Sequence, residues 1–89
     1  MKFGLFYQIQ VPKPWDEESE ARRIWEALDQ IAYAEEVGYD SVWFSEHHFR
    51  PEWSHNSAPD LTLAAVSQRT SRIRMGVGVV LAPIHHPLH

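Results

Sequence analysis

No cysteine occurs anywhere in the 89 residues, which removes both a disulfide framework and a thiolate zinc site from consideration. Long apolar runs are missing as well. The amino-terminal MKFGLFYQIQ has one lysine and a short hydrophobic stretch broken by Gln8 and Gln10, too brief for a signal peptide and far too brief to span a bilayer. A cytoplasmic protein with no membrane partner is therefore expected. Basic residues are outnumbered, eight Lys and Arg against twelve Asp and Glu for a formal charge of -4. Their only concentrations are Arg22-Arg23 and Arg69 to Arg74, which read as solvated helix faces or ends. Phosphate backbones need a clustered basic face, so no nucleic acid is expected as a partner. Low-complexity tracts and long polar runs are also lacking, which argues against disorder.

What is present is a chain built to fold. Hydrophobic residues make up 44%, with four Trp, three Tyr and four Phe, and the length allows one domain or a piece of one. Residues 2–9, KFGLFYQI, read as a strand that stops before Pro12 and Pro14. A helix follows, with Asp16 or Ser19 as its cap and Glu17, Glu18 and Glu20 at the positive end of its dipole. Ala21, Ile24, Trp25, Leu28, Ile31 and Ala32 recur at helical spacing as one buried face, and Gly38 supplies a left-handed end. Ser41 to Ser45 read as a second strand. Ser57 caps a second helix that has Pro59 in its first turn and ends near Thr70. The nearly continuous apolar run Ile73 to Ala82 is how a strand covered on both faces reads in a parallel sheet.

Strand, helix, strand, helix, strand with crossover-length connections is an α/β order, compatible with an open doubly wound sheet or with the opening of a barrel. Three strands without a third covering helix would leave apolar faces and edges bare, so a truncated segment is expected.

Chemistry concentrates in SVWFSEHHFRPEW, Ser41 to Trp53, where a strand delivers a carboxylate, two imidazoles and a guanidinium at one end. Imidazole is the side chain whose protonation changes near neutral pH. Glu46, His47 and His48 are accordingly candidate site residues, and His85-His86 at the end of the next strand are further candidates. His55 is expected to be solvent-exposed. Gly76 and Gly78 interrupt the third strand, where glycine signals either a close approach of backbone to something else or tight packing of small residues. Trp25, Trp43 and Phe44 are expected in the core, and the loop residues Trp15 and Trp53 are candidates for pocket walls or lids, against the commoner case of a loop tryptophan folded back on the core. Six histidines also permit a rival reading as a metal-binding protein. Adjacent histidines at a strand end point to opposite sides, however, so no metal ligand is assigned. A third possibility is a non-catalytic, truncated product.

MKFGLF (residues 1–6), AEEVGYDSVWFSEHHF (34–49) and NSAPDLTLAAVSQRTSRIRMGVGVVLAPIHHP (56–87) resemble, in that order, the amino-terminal third of the bacterial luciferase-like, flavin-dependent monooxygenase family. The resemblance covers practically the whole chain. It implies that residues 1–89 form about three strand-helix units of a single (β/α)8 TIM-barrel domain, with the active site at the carboxyl ends of the strands. It implies an oxidoreductase in which reduced flavin (FMN) and O2 oxygenate a small organic substrate such as an aldehyde. The alternative within the family is F420-dependent hydride transfer.

By motif position His47 matches the family's active-site histidine, with Glu46 as its partner. A non-proline cis peptide at Gly78-Val79 would lie against the flavin ring, and His86 would contact flavin phosphate or substrate. The resemblance also implies a homo- or heterodimeric parent joined through helices of this half, which points to Leu61 to Arg69. The segment alone is not expected to turn over.

Overall fold

In a computed structural model of the chain, which describes residues 1–88, three strands and two helices alternate. The order is β1 (Gly4–Tyr7), α1 (Ser19–Glu36), β2 (Ser41–Phe44), α2 (Pro59–Ser67) and β3 (Arg74–Val77), followed by a single 3-10 turn at Ala82–Ile84. The strands form one sheet in the order β1-β2-β3. Both pairings are parallel, with Gly4, Ser41 and Arg74 in register at one end and Tyr7, Phe44 and Val77 at the other. Main-chain bonds continue the ladder beyond the strands: the Ser45 N–H donates to Tyr7 O at 3.1 Å and the Gly78 N–H to Phe44 O at 2.8 Å. All three strands therefore release their loops at the same edge.

The core forms where the helices meet one face of this sheet. Leu5, Tyr7, Val42 and Phe44 alternate onto that face and pack with Ile24, Ala27, Leu28 and Ile31 of α1 and with Val66 of α2. Phe44 and Ile31 are wholly buried, and the Phe44 ring stacks on Tyr7 with centroids 5.5 Å apart. The helical spacing seen in the sequence locates α1 well, and Gly38 ends it with φ at +97°, a conformation that favours glycine.

Several expectations are corrected. Trp25 is 63% and Trp43 45% exposed, so neither joins Phe44 in the core. Trp43 follows the two-residue period of its strand onto the face opposite Phe44, which no helix covers, and Trp25 lies outside the buried stripe of α1. Ala21 is exposed as well. Ala58 rather than Ser57 sits at the cap of α2, without a side-chain cap, and that helix stops at Ser67. The third strand is four residues long instead of ten.

One determinant of β3 is a carboxylate far away in sequence. Glu35, near the end of α1, accepts the N–H groups of Ser71, Arg72 and Ile73 at 3.0, 2.7 and 2.6 Å. These bonds, led by that of Ile73, hold its carboxyl down at about 2 from an ordinary 4.5. They fix where the chain enters β3. No helix among the described residues is long and apolar enough to cross a membrane.

Candidate active site at the carboxyl ends of the strands

The segment after β2 is organised by Asn56, which is buried. Its Nδ2 donates to Ser45 O at 3.1 Å, its main-chain O accepts the His47 N–H at 3.0 Å, and its Oδ1 accepts the Thr62 hydroxyl of α2 at 2.9 Å. The residues on either side of Glu46 are thus tied to one amide side chain and its backbone. Ser54 reinforces the arrangement by donating its hydroxyl to Gln8 O after β1, and the His55 N–H donates to Ile9 O at 2.9 Å. Ile9 itself is buried with φ at +52°, a conformation costly for a β-branched residue and one held only by well-determined surroundings.

With its main chain fixed, His47 lines two open clefts. One, of about 360 Å3, is shared with Glu20, His48, Arg50 and His55, and the other, of about 220 Å3, with Arg50 and Trp53. Glu46 lines neither of these clefts. Its side chain is 1% exposed, and its hydrogen bonds run to His48, His85 and the Leu81 N–H rather than to His47. The pairing of Glu46 with His47 expected from the motif is therefore replaced by a pairing with residues two and thirty-nine positions away.

His55, expected in solvent, is half-buried. Its ring packs edge-on against Trp15 with centroids 5.5 Å apart, and its Nδ1 lies 3.4 Å from Glu20 Oε1. Trp15 is folded back by the bond from its Nε1 to Val11 O at 2.8 Å. His86 sits in the exposed stretch after the 3-10 turn, its Nδ1 accepting the Leu88 N–H at 3.2 Å. Among the described residues no group of three His, Asp or Glu side chains is arranged to hold a metal ion.

The two glycines of the third strand have different causes. A Cβ at Gly76 would lie 2.9 Å from Trp43 Cη2, with two further ring atoms nearer still, so the indole occupies the space that a side chain would need. At Gly78 a Cβ would lie 3.6 Å from Phe6 and 3.9 Å from Trp43, which is ordinary contact. Packing thus explains Gly76 and leaves Gly78 unexplained from within the chain. The Gly78-Val79 peptide is cis, at the bond named from the motif. The bare backbone there, with Phe6 and Trp43 beside it on the uncovered face, suits a flat aromatic group laid against the strand. Another cleft, of about 500 Å3, lies along the unpaired edge of β1 and is lined by Phe6, Gln8, Gln10, Arg23 and Gln30 among others.

The family model of the luciferase-like monooxygenases matches residues 1–89. The chain belongs to this family. It is 41% identical over 64 residues to a 4-hydroxyprotoasukamycin monooxygenase of Streptomyces nodosus subsp. asukaensis, covering 72% of this chain and 17% of that protein. It is 36% identical over 87 residues to limonene 1,2-monooxygenase of Rhodococcus erythropolis, covering 96% and 21%. In structure it matches the oxygenating constituent of 3,6-diketocamphane monooxygenase from the CAM plasmid of Pseudomonas putida, a type II Baeyer-Villiger monooxygenase in complex with FMN. That match has a TM-score of 0.85 at 25% identity, over 98% of this chain and 23% of the other. The luciferase-like chain thus spans about a fifth of the length of these relatives.

Two site residues were invisible to sequence reasoning. For Asn56 and Ser54 the only signal in the sequence is that a long irregular segment needs buried acceptors and donors to hold it.

Proposed function

We propose that this chain supplies the first strand-helix units of a (β/α)8 flavin-dependent monooxygenase, in which reduced FMN and O2 oxygenate a small organic substrate. The observation that carries the proposal is the coincidence, at one edge of a parallel sheet, of a main-chain-anchored His47 with the uncluttered Gly78-Val79 backbone. Relatives named for limonene, trigonelline and alkanal support an organic substrate. The free edges of β1 and β3 and the exposed Phe6 and Trp43 support a closed barrel around this segment, since such edges and faces call for partners. A dimeric parent joined through α2 accords with Leu61 standing 69% exposed on that helix. The composition fits a cytoplasmic enzyme.

Within that site the residues divide the work. Gly78 and Val79 would hold the flavin ring, with Phe6 and Trp43 as apolar neighbours, and His86 lies within the same loop for phosphate or substrate. Reduced FMN, when bound, would supply the two electrons with which dioxygen is cleaved, one oxygen atom entering the substrate and the other leaving as water. His47 gives or takes the accompanying proton, a task imidazole suits near neutral pH. Asn56 holds the Ser45 carbonyl and the His47 amide, which fixes the His47 backbone beside its clefts.

The test is the His47→Ala substitution in the protein carrying this segment, supplied with reduced FMN and oxygen. Turnover falls about 100-fold or more, the scale of a lost proton-transfer group, while FMN binding persists. Undiminished turnover removes His47 from the chemistry. Flavin-free hydride transfer with F420 would instead favour the other branch of the family.

A further inference from the structure

Glu46 joins the two loops that flank the proposed flavin face. Its Oε1 lies 2.8 Å from His48 Nε2 and 2.6 Å from His85 Nε2, and its Oε2 accepts the Leu81 N–H at 2.9 Å. His48 follows β2, whereas Leu81 and His85 follow β3. The contact is withdrawn from solvent at the carboxylate, which is 1% exposed, and more open at the rings, with His48 at 24% and His85 at 38%.

Burial pushes the Glu46 carboxyl upward, but the bonds from His48, the Leu81 amide and His85 outweigh it and hold the group at about 2. An ionised carboxylate has acceptor sites and no proton to give. Each imidazole that faces it must then present Nε2–H, which selects the protonated nitrogen of two rings at once.

We propose that Glu46 is a positioning residue that clamps the Val79-to-His85 segment onto the His47 loop by holding His48 and His85 together as Nε2–H donors. In naming what is positioned, the proposal rests on the flavin-site reading above. The geometry explains why the charge is needed. A glutamine offers one carbonyl oxygen and an NH2 group that accepts nothing, so three donors would compete for a single acceptor atom. Asn56 fixes Ser45 and His47 from the α2 side, and Glu46 fixes the same loop from the β3 side. His47 is the residue between these two fastenings whose ring enters neither.

The experiment is a multiple-bond 1H–15N spectrum of the labelled protein carrying this segment at neutral pH, which reads the protonated nitrogen of each ring. Protons on Nε2 of both His48 and His85 are expected, and a bare Nε2 on either ring overturns the proposal. This measurement needs no variant. Amide exchange of the Glu46→Ala variant of that protein supplies the second arm: the Leu81 N–H should exchange at least about tenfold faster, the scale of a lost charged hydrogen bond, and unchanged exchange overturns the clamp. FMN titration of the same samples tests the flavin reading separately. Nε2–H rings without FMN binding would sink that reading and leave the clamp standing, whereas FMN binding with a bare Nε2 would do the reverse.

Discussion

Replacing Phe44 by alanine should be the most damaging single change among the aromatic residues, and the structure gives the size of the effect. The ring is 0% exposed, stacked on Tyr7 and enclosed by residues of both helices. Its removal loses the transfer free energy and leaves a cavity, at a cost of about 3–5 kcal/mol. Trp25 is the informative contrast, because its spacing in the sequence also marked it as core. It is 63% exposed, so only a little over a third of the roughly 200 Å2 of an aromatic side chain is covered. At about 25 cal/mol per Å2 that amounts to at most about 2 kcal/mol, with no enclosed cavity to add. A domain of this size shifts its midpoint by roughly 4–8 °C per kcal/mol. Thermal unfolding of both variants by far-UV circular dichroism should therefore place Phe44→Ala at least about 4 °C below Trp25→Ala. A Trp25→Ala midpoint equal to or lower than that of Phe44→Ala would refute the assignment of the buried face.

Three further outcomes follow from named contacts. Because the folded-state carboxyl of Glu35 is held at about 2 against an ordinary 4.5, its contribution to stability is present above pH 4.5 and is lost as the pH falls through about 2. Urea midpoints of Glu35→Gln should accordingly be lower than those of the native chain at pH 7, and the difference should shrink steadily toward pH 2. Asn56→Ala strips partners from the buried Ser45 carbonyl and the Thr62 hydroxyl, which should cost about 1–3 kcal/mol in chemical denaturation and speed exchange of the His47 amide. Gly76→Ala should displace the Trp43 indole and alter its fluorescence, whereas Gly78→Ala should leave the emission close to that of the native chain, because only the first position is filled by the ring.

Periodicity made the architecture readable. The i, i+3, i+4 pattern ending in Gly38 located α1 because a helix with one buried face must repeat that way, and short apolar runs marked the strands for a similar reason. Motifs located the histidine loop and the Gly78-Val79 bond. The misplacement of Trp25 and Trp43 has a common cause: a large aromatic residue says that it prefers burial, not which face the fold will cover. Trp43 obeys strand alternation faithfully and lands on the face without helices.

The contacts that build the site were less accessible still. Glu35 reaches amides thirty-six to thirty-eight residues away, Glu46 reaches His85 thirty-nine away, and Asn56 reaches back eleven to Ser45. Each joins a side chain to a donor or acceptor that only the folded sheet brings near, so no local spacing encodes the pair. His55 shows the same effect, since Trp15 and Glu20 approach it from the segment before α1 and from α1 itself.

The most direct measurement is a crystal structure of the protein carrying this segment with FMN bound. The isoalloxazine is expected against the Gly78-Val79 backbone, with the His47 ring turned toward it and Glu46 still engaged by His48 and His85. Flavin seated away from β3, or His47 directed away from the cofactor at the carboxyl ends of the strands, would contradict the account.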